Sequence, residues 1–283
     1  NSSEIIFGIK PYQVGHGIPP QTKEMVNKRI YHSPVKEDES WKPMVTGTDV
    51  NRYSLAFPGD LFIKYGEWLM YKSNEEKILS KKILLRRTSS DIKAVIDYEF
   101  YYPQNSIFII TSKLNLEYLL GILNSKLMNA IYSNKCPQEG KVFAEIKPSI
   151  IKELPIIEDS GHLESLIAHK VGEIQNYRKL KSEFDSDFLK LVNYKYSIDK
   201  PSTKLQNWPS LDFKGFLGEL KKAKVHLSLS EEAEWMAYFN EQKAKALALQ
   251  ADITRLDREI DALVYELYGL TEEEIRIVEG GEG

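Results

Sequence analysis

The sequence predicts an α+β fold, in which a strand-rich mixed domain is followed by long helices forming an antiparallel coiled-coil-like pair. Two observations carry this. Before Pro155, short β-branched runs are bounded by Pro, Gly, Asn and Asp. After it, apolar residues recur in steps of three and four along two long stretches. The boundary is placed so that the domains are 1–157 and 158–283.

In the first part, candidate strands fall at 5–9, 61–65, 83–87, 93–96 and 107–111, each a short apolar or β-branched run. Turn signals separate them, among them Pro19-Pro20, Thr46-Gly47-Thr48-Asp49 and Phe57-Pro58-Gly59-Asp60. A short helix is expected over 22–29. A firmer one is expected over 116–134, with Leu119, Leu120, Leu123, Leu127 and Ile131 on one stripe. In the second part, Leu163, Ile167, Ile174, Tyr177, Phe184, Phe188 and Leu191 mark a helix to Tyr196. The Pro-containing stretch 200–210 breaks it, and 197–210 is expected to be the first site of proteolytic cleavage. A short amphipathic helix follows at 213–225. Ser228 with Glu231 then offers a capping box for a helix over 231–268, about 57 Å long at 1.5 Å per residue. Its seam is Ala246, Leu249, Ile253, Leu256, Ile260, Leu263 and Leu267. Gly269 stands at the C-cap, and Thr271 with Glu274 opens a last helix. Matching seams should bring the two long helices together antiparallel.

Composition excludes several classes. Cys136 stands alone, so a disulfide framework or cysteine metal site has no basis. No apolar run approaches the ~20 residues that span a bilayer. A cytoplasmic, reduced protein with no membrane partner is expected. The net charge of −3 argues against a nucleic-acid binder, but residues 1–160 hold 21 basic and 19 acidic side chains and the remainder 17 and 22. A local positive face is what binding needs, and the first part permits one.

The most specific signal is an ordered series of blocks. Leu119-Leu120-Gly121-Ile122-Leu123-Asn124-Ser125-Lys126 is followed by Gly140-Lys141-Val142-Phe143-Ala144-Glu145-Ile146-Lys147 and by Leu154-Pro155-Ile156. Upstream stand Gly8-Ile9-Lys10-Pro11-Tyr12-Gln13-Val14-Gly15, Tyr65-Gly66-Glu67-Trp68-Leu69 and Ile83-Leu84-Leu85-Arg86-Arg87-Thr88. Over roughly residues 4–157 this series resembles the C-terminal target-recognition (specificity) domain of TaqI-like adenine-N6 DNA methyltransferases, especially the fused type IIG restriction–modification enzymes. The tail 257–279 also looks like the end of such enzymes. The resemblance implies a DNA reader, with double-stranded DNA as partner. It also implies that methyltransferase and endonuclease domains, with their S-adenosylmethionine and Mg²⁺, lie on an N-terminal part absent from this fragment, which is itself no enzyme and holds no cofactor.

The residues agree with that division. Gly15-His16-Gly17 is followed at once by Ile18-Pro19-Pro20, so it cannot open the helix that a cofactor loop requires. The Pro-Pro pair lacks the preceding Asn and the following aromatic of the adenine methyltransferase motif, which binds a flipped base. Candidate DNA contacts are cationic, amide and aromatic groups interleaved in the loops: Lys10, Tyr12 and Gln13; Arg52; Lys64, Tyr65 and Trp68; Lys82, Arg86 and Arg87; Gln104 and Asn105; and Lys141. Arg reads guanine and Asn or Gln reads adenine by paired hydrogen bonds, while flanking cations hold phosphates. Two other readings remain open. One is a stand-alone specificity subunit that recruits catalytic chains through its helices. The other is a Mg²⁺-dependent nuclease using Asp60 (or Asp91), Glu145 and Lys147.

Overall fold

The computed structural model describes residues 3–136, 144–158 and 160–280. Contacts divide the chain into two compact units, Asn1–Gln175 with Glu259–Gly283, and Asn176–Arg258. These divisions cut through both long helices, whereas the boundary expected at 157/158 follows the change in sequence character.

Among the described residues the first unit is built on two four-stranded sheets and one two-stranded sheet. Strands β1 (Ser3–Phe7), β2 (His32–Ser33), β3 (Trp41–Val45), β4 (Val50–Asn51), β5 (Ser54–Leu55), β6 (Phe62–Lys64), β7 (Lys82–Arg86), β8 (Ala94–Asp97), β9 (Tyr102–Pro103) and β10 (Ile107–Ser112) follow in chain order. One antiparallel sheet runs β1-β10-β7-β8, with Phe7 opposite Phe108, Leu85 opposite Phe108 and Leu85 opposite Ala94. The other four-stranded sheet runs β2-β6-β3-β9, its last pairing parallel. Ile107, Ile109, Leu84 and Val95 share a buried core with Met44, Val45, Val50 and Ile63. The unbroken apolar runs of β7, β8 and β10 thus belong to strands covered on both faces.

Strand β3 escaped sequence reading because Pro43 sits inside it. The structure supplies the reason it is tolerated. Met44 N–H donates to Leu61 O (2.9 Å) on one side, and β9 pairs only with Met44 and Val45 on the other. The side facing β9 at Pro43 therefore demands no donor.

Around the sheets lie α1 (Lys23–Lys28), α2 (Glu75–Ile78), α3 (Leu116–Asn124), α4 (Lys126–Lys135) and α5 (Pro148–Lys152). The single helix expected over 116–134 is two. Ser125 adopts φ −59°, ψ 154°, and its hydroxyl accepts from Met128 N–H (3.1 Å) and donates to Ile122 O (2.7 Å). One serine so ends α3 and caps α4.

The long helices are α6 (His162–Tyr196) and α9 (Leu229–Tyr268), with α7 (Thr203–Gln206), α8 (Phe213–Lys222) and α10 (Glu272–Val278) beside them. Both expected capping boxes are present, at Ser228–Glu231 and Thr271–Glu274, and Gly269 takes φ +63°. Within the first unit Lys170 of α6 pairs with Glu259 of α9 at 2.9 Å. Within the second, Phe188 meets Phe239 while Tyr196 meets Trp235, so the helices run antiparallel there. The plain two-helix seam needs correction in this unit. Helices α7 and α8 enter the core, where Trp208 stacks on Phe188 at 3.9 Å and Phe216 on Phe239 at 4.9 Å. Val192 is buried where Leu191 was expected, because 188 and 192 share a face. The stretch 200–210 is likewise no open linker, since Leu205 and Trp208 are 1% and 0% exposed.

Candidate nucleic-acid interface

One end of the first sheet gathers a third of the expected contact residues. The loop 104–106 enters β10 between the end of β7 and the end of β1. Arg87 N–H donates to Ser106 O (2.9 Å), Asn105 N–H to Ile9 O (2.8 Å) and Gln104 N–H to Val45 O (2.8 Å). A Cβ at Gly8 would lie 2.3 Å from Gln104 O, so only glycine lets β1 approach this loop.

The two arginines divide here. Arg87 forms an ion pair with Glu145, donates from Nη1 to Asn105 O (3.3 Å) and lies over Phe7 and Phe108 at 5.5 and 5.9 Å. Ile146 N–H donates to Arg87 O at 2.8 Å. Arg87 therefore ties the 104–106 loop to the segment leading out of the domain. Arg86 makes only an exposed bond from Nε to Thr88 O (3.1 Å) and has no carboxylate partner among the described residues. The Asn105 amide also lacks a partner among them, while Gln104 Oε1 accepts from Ser106 Oγ at 3.2 Å. Arg86, Gln104 and Asn105 are left with spare donors at one edge.

A second group forms around Trp68. Tyr12 stacks on Tyr31 (5.8 Å, 10° between planes), and Tyr31 on Trp68 (6.1 Å). Tyr12 Oη accepts from Tyr31 N–H (2.9 Å) and lies 2.9 Å from His32 Nδ1. Burial raises the Tyr12 pKa to about 12 and, with help from Arg29, lowers that of His32 to about 4. Tyr65 meets Tyr102 edge-on at 5.0 Å, and burial raises it to about 12. Lys64 lies 5.7 Å from the Trp68 ring, whose Nε1 donates to Lys64 O (2.9 Å). Lys10 donates to Gln13 Oε1 at 3.0 Å. These aromatics serve chiefly as packing beneath the loop, with Lys10, Gln13 and Lys64 at its rim.

Other placements depart from expectation. Lys82 is 0% exposed, bonded through Nζ to Asp97 Oδ2 (2.7 Å) and to Ile78 O. Burial lowers its pKa against the pull of Asp97. It cannot reach a phosphate, and no local pattern marks its strand position as inward-facing. Arg52 lies over the Tyr53 ring (5.2 Å) and 3.6 Å from Asp261 on α9, an anchoring role. Lys141 lies outside the described residues. Of the Asp60 (or Asp91), Glu145 and Lys147 set, the structure brings together Glu145 and Lys147. Glu145 is engaged by Arg87 and stands 3.8 Å from Lys147, and among the described residues no group of three His, Cys, Asp or Glu could hold a metal.

Sequence reading missed the residues that hold the frame. Gln21, 2% exposed, donates to Pro11 O (2.8 Å) and Trp68 O (2.7 Å), closing the loop that carries Lys10 and Gln13. Asn124 accepts from Ala94 N–H (3.0 Å) and donates to Ala94 O (2.9 Å), and Asn129 accepts from Ile92 N–H at 2.7 Å. Asp261 accepts from Lys126 N–H at 2.9 Å. The Leu-Gly-Ile-Leu-Asn-Ser block therefore joins helix to edge strand, which is why those residue types stand together.

Comparison with known proteins agrees with the earlier resemblance. Residues 42–156 match the TaqI-like C-terminal specificity domain, and residues 161–264 match a domain of unknown function (DUF8810). No curated protein matches. Among solved structures, that of the type IIL restriction–modification enzyme MmeI in complex with DNA aligns with 98% of this chain at 13% identity and a TM-score of 0.53. The chain spans about a third of that protein's length, 34%. Among the described residues no helix is long and apolar enough to cross a membrane.

Proposed function

Starting from a TaqI-like specificity domain over residues 42–156, we propose that this chain recognises a DNA target sequence for a restriction–modification enzyme. In this reading it supplies specificity and no chemistry. Methyl transfer from S-adenosylmethionine to adenine N6, and Mg²⁺-dependent cleavage in a type IIG arrangement, belong to other domains of the enzyme.

The observation that carries the reading is the edge formed by Arg86, Gln104 and Asn105. Each keeps donors free at one sheet end, while Arg87 and Glu145 fix the backbone beneath them. Guanidinium and amide groups held on a rigid frame are what base edges in the major groove require. Duplexes selected from a randomised pool by the purified chain test this. A reproducible preferred sequence is the expected result, and binding with no sequence preference, or none at low salt, would overturn it.

A further inference from the structure

The chain carries a net charge of −3, yet residues 195–224 contain seven lysines against three acids. This stretch covers α7 and α8 of the second unit. The acids are mostly occupied. Asp212 caps α8 by accepting from Gly215 N–H (2.7 Å). Glu219, 6% exposed, accepts from Ser202 Oγ (2.6 Å) and pairs with Lys222 (2.7 Å). Hydrogen bonds from Lys222 and Ser202 hold its carboxyl below its ordinary range, so it stays charged and turned inward.

Lys200, Lys204, Lys214, Lys221 and Lys224 are exposed, and no salt bridge engages them among the described residues, although Lys204 lies close enough to Glu219 to help hold its carboxyl charged. Placement draws several of them together. Lys204 follows the Ser202 cap that bonds Glu219, Lys221 and Lys222 close α8, and Lys224 N–H bonds back to Lys221 O at 2.9 Å. Lys214 and Lys221 lie two turns apart on one face of α8. Complementing the helix dipole accounts for Lys221 and Lys222 in the last turn, but not for Lys200, Lys204 and Lys214.

We infer that the α7–α8 insertion is a second DNA contact, gripping the phosphate backbone without reading sequence. The inference rests on the DNA-recognition reading above. Flexible ammonium groups with no fixed geometry suit phosphates, which they meet as point charges, better than base edges. The aromatic core under α8 gives the lysines a rigid base.

The test is salt dependence on a fixed duplex of mixed sequence. Each engaged phosphate adds about 0.9 to the slope of log affinity against log salt. Converting Lys200, Lys204, Lys221 and Lys224 to Gln should make the slope shallower by about two to four units and weaken binding by about 10–100-fold near 0.1 M salt. The sequence selected from a randomised pool should not change. A set of Lys→Arg changes at the same positions should keep the slope, which guards against a folding defect in the Gln set. An unchanged slope in a Gln variant that unfolds at the wild-type temperature would overturn the inference and leave sequence recognition standing. So would a changed base preference, or a phosphatidylserine-vesicle affinity that the Gln set abolishes while duplex affinity stays the same. If the unaltered chain binds no duplex even at low salt, the recognition reading itself fails.

Discussion

Arg86 and Arg87 are adjacent, identical in type and different in work. Arg87 is 31% exposed, held by Glu145 and seated on two rings, so its loss should be felt in stability. Arg87→Ala should lower unfolding free energy by about 1–2 kcal/mol, summing a half-exposed pair, a cation–π contact and a hydrogen bond. Arg86→Ala should leave thermal unfolding nearly unchanged and reduce discrimination at one base pair by about 1–3 kcal/mol. Binding to the selected duplex and to its single-base variants measures the second effect. If Arg87→Ala alters base preference without altering stability, the two roles are reversed. Sequence reading placed both arginines on the DNA because it sees charge and not partners. It erred at Lys82 for the same reason, since nothing local shows that the residue pairs with Asp97 on the neighbouring strand.

At the level of elements, the junction of α3 with both long helices depends on Gly121. A Cβ there would lie 2.5 Å from Ile167 Cγ2 and 3.1 Å from Val171 Cγ2. Both neighbours are β-branched residues in a helix, whose χ1 has little freedom to turn away. Replacing Gly by Ala in a helix interior normally gains about 1 kcal/mol. Overpacking of this kind costs about 1–3 kcal/mol, and the rigid neighbours place it at the upper end. Gly121→Ala should therefore destabilise the first unit by about 1–2 kcal/mol in chemical denaturation. A stabilised variant would show that α6 lies farther from α3 than described. The longer helices and five of the ten strands among the described residues were legible from periodicity and caps, including the capping boxes before α9 and α10. The break at Ser125 was not, because the apolar stripe runs on through it and only the serine's own bonds end the helix.

For the molecule as a whole, sequence separated a strand-rich part from a helical one. It could not show how the second unit closes, because the closure depends on contacts between residues far apart in the chain. Pro201 and Pro209 suggest a linker, whereas Trp208 between them lies under Phe188 with its indole N–H on Asp185 O at 3.2 Å. Limited proteolysis should therefore spare 203–211 while the unit is folded. Trp208→Ala, at a cost of about 3–5 kcal/mol, should open that stretch to cleavage. Rapid cutting there in the unaltered protein would show that the aromatic core does not form. Ordered blocks carried the resemblance of the first part to a specificity domain, whereas which side-chain donors remain unspent is visible only in the structure.

The pinning of β8 by side chains bears on how the protein behaves while crowded with copies of itself. Strand β8 ends its sheet, and an uncovered edge would offer backbone groups to another chain. Asn124 occupies both groups of Ala94, Tyr53 N–H also reaches Ala94 O at 3.0 Å, and Gln175 reaches Ile96 O at 3.3 Å. The amides that fasten helix to sheet thus also seal the margin against polymerisation, so a loosened α3–α4 elbow would surface first as insoluble protein during expression.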